Sequence, residues 1–134
     1  MPLYPMIDDR MITESSKDNN AHIWNSKLNE CGWELYLGKL YKGEVPIYAA
    51  PGRETNLVGI PPTITFVGDL EPFRDETIEY MEKLKKAGVP TEFKIFKGCY
   101  HGFDAVNPKA KISKDAHEFL LKGFKYAVEN YFKI

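Results

Sequence analysis

The chain has 134 residues, enough for one domain that buries a core without staples. Its net charge of −1, with lysines and glutamates interleaved, excludes a basic field for nucleic acid or anionic lipid. No apolar run approaches the ~20 residues that span a bilayer, Met1 to Arg10 lack the basic-then-apolar order of a signal peptide, and two cysteines, Cys31 and Cys99, are too few for a disulfide framework, so a reduced, cytoplasmic protein is expected.

Leu3 to Ile7 reads as a short strand, at an edge or with its end near Pro5, closed by Asp8, Asp9 and Arg10. Residues 13 to 20 form a polar loop. From Ala21 to Gly38 the apolar positions predict two short helices broken near Gly32. Residues 41 to 62, rich in Gly and Pro, read as an extended linker across the surface. Thr63 to Val67 is β-branched and aromatic and ends at Gly68, which predicts a buried strand. Arg74 to Ala87 follows as a helix with Ile78, Met81 and Leu84 on one face, and Glu79–Lys83 and Glu82–Lys86 as i,i+4 pairs. Gly88 and Pro90 end it. Thr91 to Phe96 is the next strand and Gly98 to Pro108 a loop. Ser113 is expected to cap a last helix whose core stripe is Ala116, Phe119, Leu120, Phe124, Ala127, Val128 and Tyr131.

Strand, helix and strand joined by short loops make a βαβ unit with parallel strands. Ligands in such sheets sit beyond the carboxyl ends of the strands. That rule selects Gly68 to Asp75 and Gly98 to Asp104. The first loop carries Asp69 and Glu71, and the second carries His101. A carboxylate beside an imidazole orients it and stabilises its charged form, and histidine exchanges protons near neutral pH. Asp75 and Glu76 are expected to serve the positive end of their helix, with Arg74 pairing to one of them. Asp8 and Asp9 read as turn-makers that pair with Arg10. His22 and His117 read as surface residues, and Cys99 as a buried or bystander thiol. Neither histidine nor cysteine spacing suggests a metal site, and no cofactor is implied.

Six segments, taken in order, resemble the α/β-hydrolase esterases and lipases related to hormone-sensitive lipase. They are Tyr4-Pro5-Met6-Ile7-Asp8-Asp9-Arg10, Trp33-Glu34-Leu35-Tyr36-Leu37-Gly38 and Tyr48-Ala49-Ala50-Pro51, followed by Leu57-Val58-Gly59-Ile60-Pro61-Pro62-Thr63, Pro72-Phe73-Arg74-Asp75-Glu76 and Tyr100-His101-Gly102-Phe103. The resemblance covers nearly the whole chain. It implies an α/β fold: the C-terminal portion of an α/β-hydrolase, with about three mainly parallel strands and flanking helices. It divides residues 1–134, as a single partial domain, into a lid-like and linker region at 13–60 and a βαβ-α unit at 61–134. It implies His101 as catalytic base and Glu71 as catalytic acid, with Asp69 the fallback because the family usually has Asp where this chain has Glu71. Trp24, Trp33 and Tyr36 would line an apolar pocket for a small ester.

One departure from the family is an absence. The nucleophile elbow requires Gly-x-Ser-x-Gly after a strand, and none of Ser15, Ser16, Ser26 and Ser113 has that setting. There is also no His-Gly-Gly-Gly run for an oxyanion hole. The chain therefore reads as a truncated esterase by descent, inactive by itself. An unpaired first strand would favour a homo-oligomer.

Overall fold

A computed structural model describes residues 1–132. Its centre is a pair of parallel strands, β1 (Thr63–Gly68) and β2 (Thr91–Phe96), in the register Thr63↔Thr91 to Gly68↔Phe96. Helix α2 (Arg74–Lys86) makes the crossover between them. β1 is enclosed along its length, whereas β2 is an edge on which only Phe96 is buried and Glu92 and Lys94 face solvent. Charged side chains on an edge discourage pairing with a further strand.

α2 buries Thr77, Met81 and Leu84, and the last two pack with Leu57 and Val89. It stops in a Schellman arrangement. Gly88 adopts φ +79, its N–H bonds the Lys85 carbonyl, and the Val89 N–H bonds the Leu84 carbonyl. The two glutamate–lysine pairs expected on its wet face are not among its ion pairs. Lys83 reaches the Gly52 carbonyl at 3.4 Å instead.

The remainder departs from the sequence reading in several places. Leu3 to Ile7 is not a strand, so the sheet has two strands where about three were expected. The segment lies beside β1 but makes a single ladder bond, Tyr4 N–H to the Phe66 carbonyl at 3.2 Å. Pro5 has no N–H to offer. The Ile7 N–H goes to a side chain of α2, and the Ile7 carbonyl to the Gly52 N–H. Residues 26 to 37 form one helix, α1 (Ser26–Leu37), capped by the Asn25 side chain on Leu28 N–H. It runs through Gly32 because the missing side chain leaves room for Trp24, whose ring would lie 3.1 Å from an added Cβ. Residues 41 to 62 do not simply cross the surface. Val45, Ala50, Gly52 and Leu57 are buried, and Arg53 is tied to Asp9 at 2.6 Å.

After β2 the expected loop contains a short helix, α3 (Phe103–Val106). The last helix, α4 (Lys111–Tyr131), begins after Ala110 without a side-chain cap. Ser113 lies inside it, buried, with its hydroxyl on the Phe103 carbonyl. Only the first half of the expected stripe is core. Ala116 is fully buried, and Phe119 and Leu120 pack on Phe66, Phe96, Cys99 and Phe103. Phe124, Val128 and Tyr131 are exposed. The helix still meets β1 at the buried Gly123, so Phe124 beside it is exposed because it lies off the packed face, and the last turns outrun the strands, about 31 Å of helix against about 20 Å.

Candidate active site

Both strands end at the same level, and the loops that leave them are laced together. Asp69 N–H bonds the Phe96 carbonyl at 3.1 Å, Leu70 N–H bonds the Cys99 carbonyl at 3.1 Å, and Gly98 N–H bonds Asp69 Oδ1 at 2.7 Å. Gly68 permits this approach. A Cβ there would sit 2.2 Å from the Cys99 carbonyl oxygen, inside any tolerable contact.

The lacing brings Glu71 to His101. Glu71 Oε2 lies 2.7 Å from His101 Nδ1, and Glu71 Oε1 accepts the Gly68 N–H at 2.7 Å. The carboxyl is fully buried and the imidazole side chain 21% exposed. In the tautomer that donates Nδ1–H to Glu71, Nε2 presents a lone pair. Nε2 has no hydrogen-bond partner among the described residues. Gly102, at φ +69, turns the chain directly after the ring. Asp69, the fallback acid, is engaged elsewhere, on Gly98 N–H.

Three aromatic rings contact the imidazole: Tyr4 at 4.6 Å between centroids, Phe73 at 5.2 Å and Trp24 at 5.9 Å. Burial, followed by the charges of Asp104 and Glu71, holds the Tyr4 hydroxyl above its usual range. Of the three residues expected to line a pocket, Trp24 alone reaches His101. Trp33 is fully buried in a separate cluster with Leu37, Val45 and Ala50. Tyr36 is 62% exposed and leans on Trp33. Neither forms a wall beside the imidazole. A shallow pocket of about 250 Å³ flanks the two loops instead, lined by Asn19, Asn20, Ala21, His22, Leu70 and Tyr100.

The remaining ionisable groups sort themselves by partner. Asp8 pairs with Arg10 and Asp9 with Arg53. Burial pulls the Asp8 carboxyl up, but the bonds from Arg10 outweigh it and hold it below the usual range. Arg74 pairs with Asp75 at 2.7 Å, as expected. Glu76 does not simply face its helix terminus. It turns inward and is 3% exposed. His117 is half exposed and lies 3.0 Å from the buried Asp104, a pair the sequence did not suggest. Burial, then Asp69 and Glu71, push the Cys99 thiol up, which keeps it protonated and a poor nucleophile. All four serine hydroxyls donate to backbone carbonyls: Ser15 to Pro72, Ser16 to Thr13, Ser26 to Ser16 and Ser113 to Phe103. None of them engages His101. Among the described residues no group of three or more His, Cys, Asp or Glu could hold a metal ion, and no helix is long and apolar enough to cross a membrane.

The model of the alpha/beta hydrolase fold family matches residues 1–105, and the chain belongs to that family. Its similarity to individual members is to esterases. Esterase LipI of Mycobacterium tuberculosis is 32% identical over 95 residues, covering 71% of this chain and 30% of LipI. Among solved structures, a bacterial heroin esterase superposes with TM-score 0.82 at 39% identity, over 89% of this chain and 39% of that one. Esterase LipW from Mycobacterium marinum superposes with TM-score 0.79 at 34% identity, over 93% and 38%. The chain thus spans well under half the length of these relatives.

Proposed function

We propose that the chain carries the acid–histidine half of a carboxylic ester hydrolase site. His101 acts as general base and Glu71 as the residue that orients it. The observation that carries this reading is the 2.7 Å contact of Nδ1 with a buried carboxylate while Nε2 stands free, in a chain similar to esterases. In this chemistry Nε2 takes the proton of a nucleophile hydroxyl as its oxygen attacks the ester carbonyl carbon. The same proton passes to the departing alkoxide, and the acyl group stays on the nucleophile. Water, deprotonated by the same nitrogen, then releases the acid. Acid, base and hydroxyl suffice for these steps. The nucleophile and oxyanion donors come, in this reading, from residues other than these 134. The substrate is a small, mostly apolar ester, with Trp24 flanking the imidazole.

The test is a chimaera in which this chain replaces the corresponding segment of the bacterial heroin esterase. It is expected to hydrolyse a short-chain aryl ester, and His101→Ala or Glu71→Ala to lower kcat by about 10³-fold or more. An active chimaera indifferent to His101→Ala would overturn the proposal. The chain alone is expected to be no faster than free imidazole.

A second reading concerns the isolated chain, as a catalytically inactive self-associating protein; the first-strand edge expected to drive association is not a strand, so the surface that supports this reading lies on and after α4. Leu121, Phe124 and Phe132 are 69%, 53% and 68% exposed, apolar surface that water disfavours. We expect light scattering after size exclusion to give a dimer or larger species at micromolar concentration. A clean monomer there would sink this reading.

A further inference from the structure

We infer that Glu76 is a positioning residue of the site: its carboxyl clamps the 4–8 segment to the first turn of α2 and so seats Tyr4 against His101. The inference rests on the proposed role of His101. It joins two sequence motifs that the acid–histidine pair leaves unexplained, Tyr4 to Arg10 and Pro72 to Glu76.

The 4–8 segment lacks the means to hold itself. Its one ladder bond to β1 is at Tyr4, Pro5 interrupts donation, and Tyr4 sits at φ +33, a left-handed conformation unfavourable for an aromatic residue. Glu76 supplies the missing acceptor across 69 residues of sequence. Its Oε1 takes the Ile7 N–H at 2.8 Å and the Asp8 N–H at 3.4 Å. The acid beside it is committed elsewhere: Asp75 accepts the Ser15 N–H at 2.8 Å and pairs with Arg74. Glu76 belongs to the turn that also presents Phe73 to the imidazole, so one turn fixes two of the three rings around His101, Phe73 directly and Tyr4 through the clamp. Burial raises the Glu76 carboxyl to about 8, so at neutral pH it is an uncharged acceptor that does not compete with Glu71 for the imidazole. Its Oε2 is buried without a partner, which suits the protonated form.

The full chain contains three histidines, so the imidazole resonances of His101 are readily followed by NMR and assigned with His101→Ala. Tyr4→Leu removes the ring current of Tyr4 and defines the displaced position. Glu76→Ala is expected to move the His101 resonances most of the way to that position, while Glu76→Gln, which keeps an acceptor oxygen, leaves them at the wild-type position. Unmoved resonances in Glu76→Ala, or equal movement in Glu76→Gln, would overturn the inference. Should Glu76→Ala fail to fold, Glu76→Asp decides, because its carboxyl is withdrawn by one carbon from the Ile7 N–H. Wild-type resonances in that variant would overturn the clamp. The resonances report geometry without turnover, so this outcome is separate from that of the chimaera. His101→Ala without effect there removes the esterase reading, and unmoved resonances here remove the clamp.

Discussion

Glu71 commits its two oxygens to different partners, Gly68 N–H and the His101 ring, each at 2.7 Å. The side chain is therefore spanning a fixed gap. Glu71→Asp shortens it by one methylene and must lengthen one of the two bonds. Misplacement on that scale costs up to about 10²-fold in rate, so the chimaera with Glu71→Asp is expected to retain activity at roughly that reduction. In the sequence, Glu71 was legible only as a departure from the aspartate that the resemblance implied. The dyad itself could be read from two loops at adjacent strand ends. Tyr4 and Phe73 could not be read as its neighbours. Aromatic contact between residues so far apart in sequence leaves no periodic mark, and Tyr4 was absorbed into an expected strand. Trp33 misled for the opposite reason: a tryptophan in a lid-like stretch suits a pocket wall or a core equally, and burial decided for the core.

At the scale of elements, the reading succeeded where local chemistry acts alone. The Gly88 stop of α2 is a one-residue signal, and the Schellman bonds follow from it. Gly88→Ala is expected to cost about 1 kcal/mol, because a Cβ is disfavoured in the left-handed region; urea unfolding measures it. The β1–α2–β2 order was equally plain from the strand composition and the helical spacing between. The failures were tertiary. Gly32 reads locally as a break, yet the Trp24 ring occupies the space it leaves and the helix continues. The α4 stripe is regular enough to promise a core, but past Leu120 the face that meets the sheet runs through Gly123 and leaves Phe124 and Val128 outside it. Gly123 marks how closely the helix still approaches there, since a Cβ would fall 2.0 Å from Ile64 Cδ1.

For the whole molecule, the buried Glu76 makes stability depend on pH. Its carboxyl is raised from 4.5 to about 8, by burial first and then, against the two backbone N–H bonds, by the charges of Asp8 and Glu71. The native state thus holds a proton that the unfolded chain has released. The contribution is fully present below the unfolded value and is lost as pH rises through about 8. The urea midpoint is therefore expected to fall between pH 5 and pH 9, and to fall less in Glu76→Gln. An equal slope in the two proteins would show that the native carboxyl titrates as the unfolded one does, and that burial does not raise it.

The lacing of the two site loops has a consequence for how such a site tolerates change elsewhere. Acid and histidine are fixed to each other by bonds between residues 68 to 71 and 96 to 101, none of which involves the rest of the sheet. The link between acid and histidine is therefore local to these two loops, whatever strand lies on the far side of β1. A change elsewhere in the sheet would leave the distance between Glu71 and His101 intact, so whatever faces Nε2 can vary without disturbing the pair.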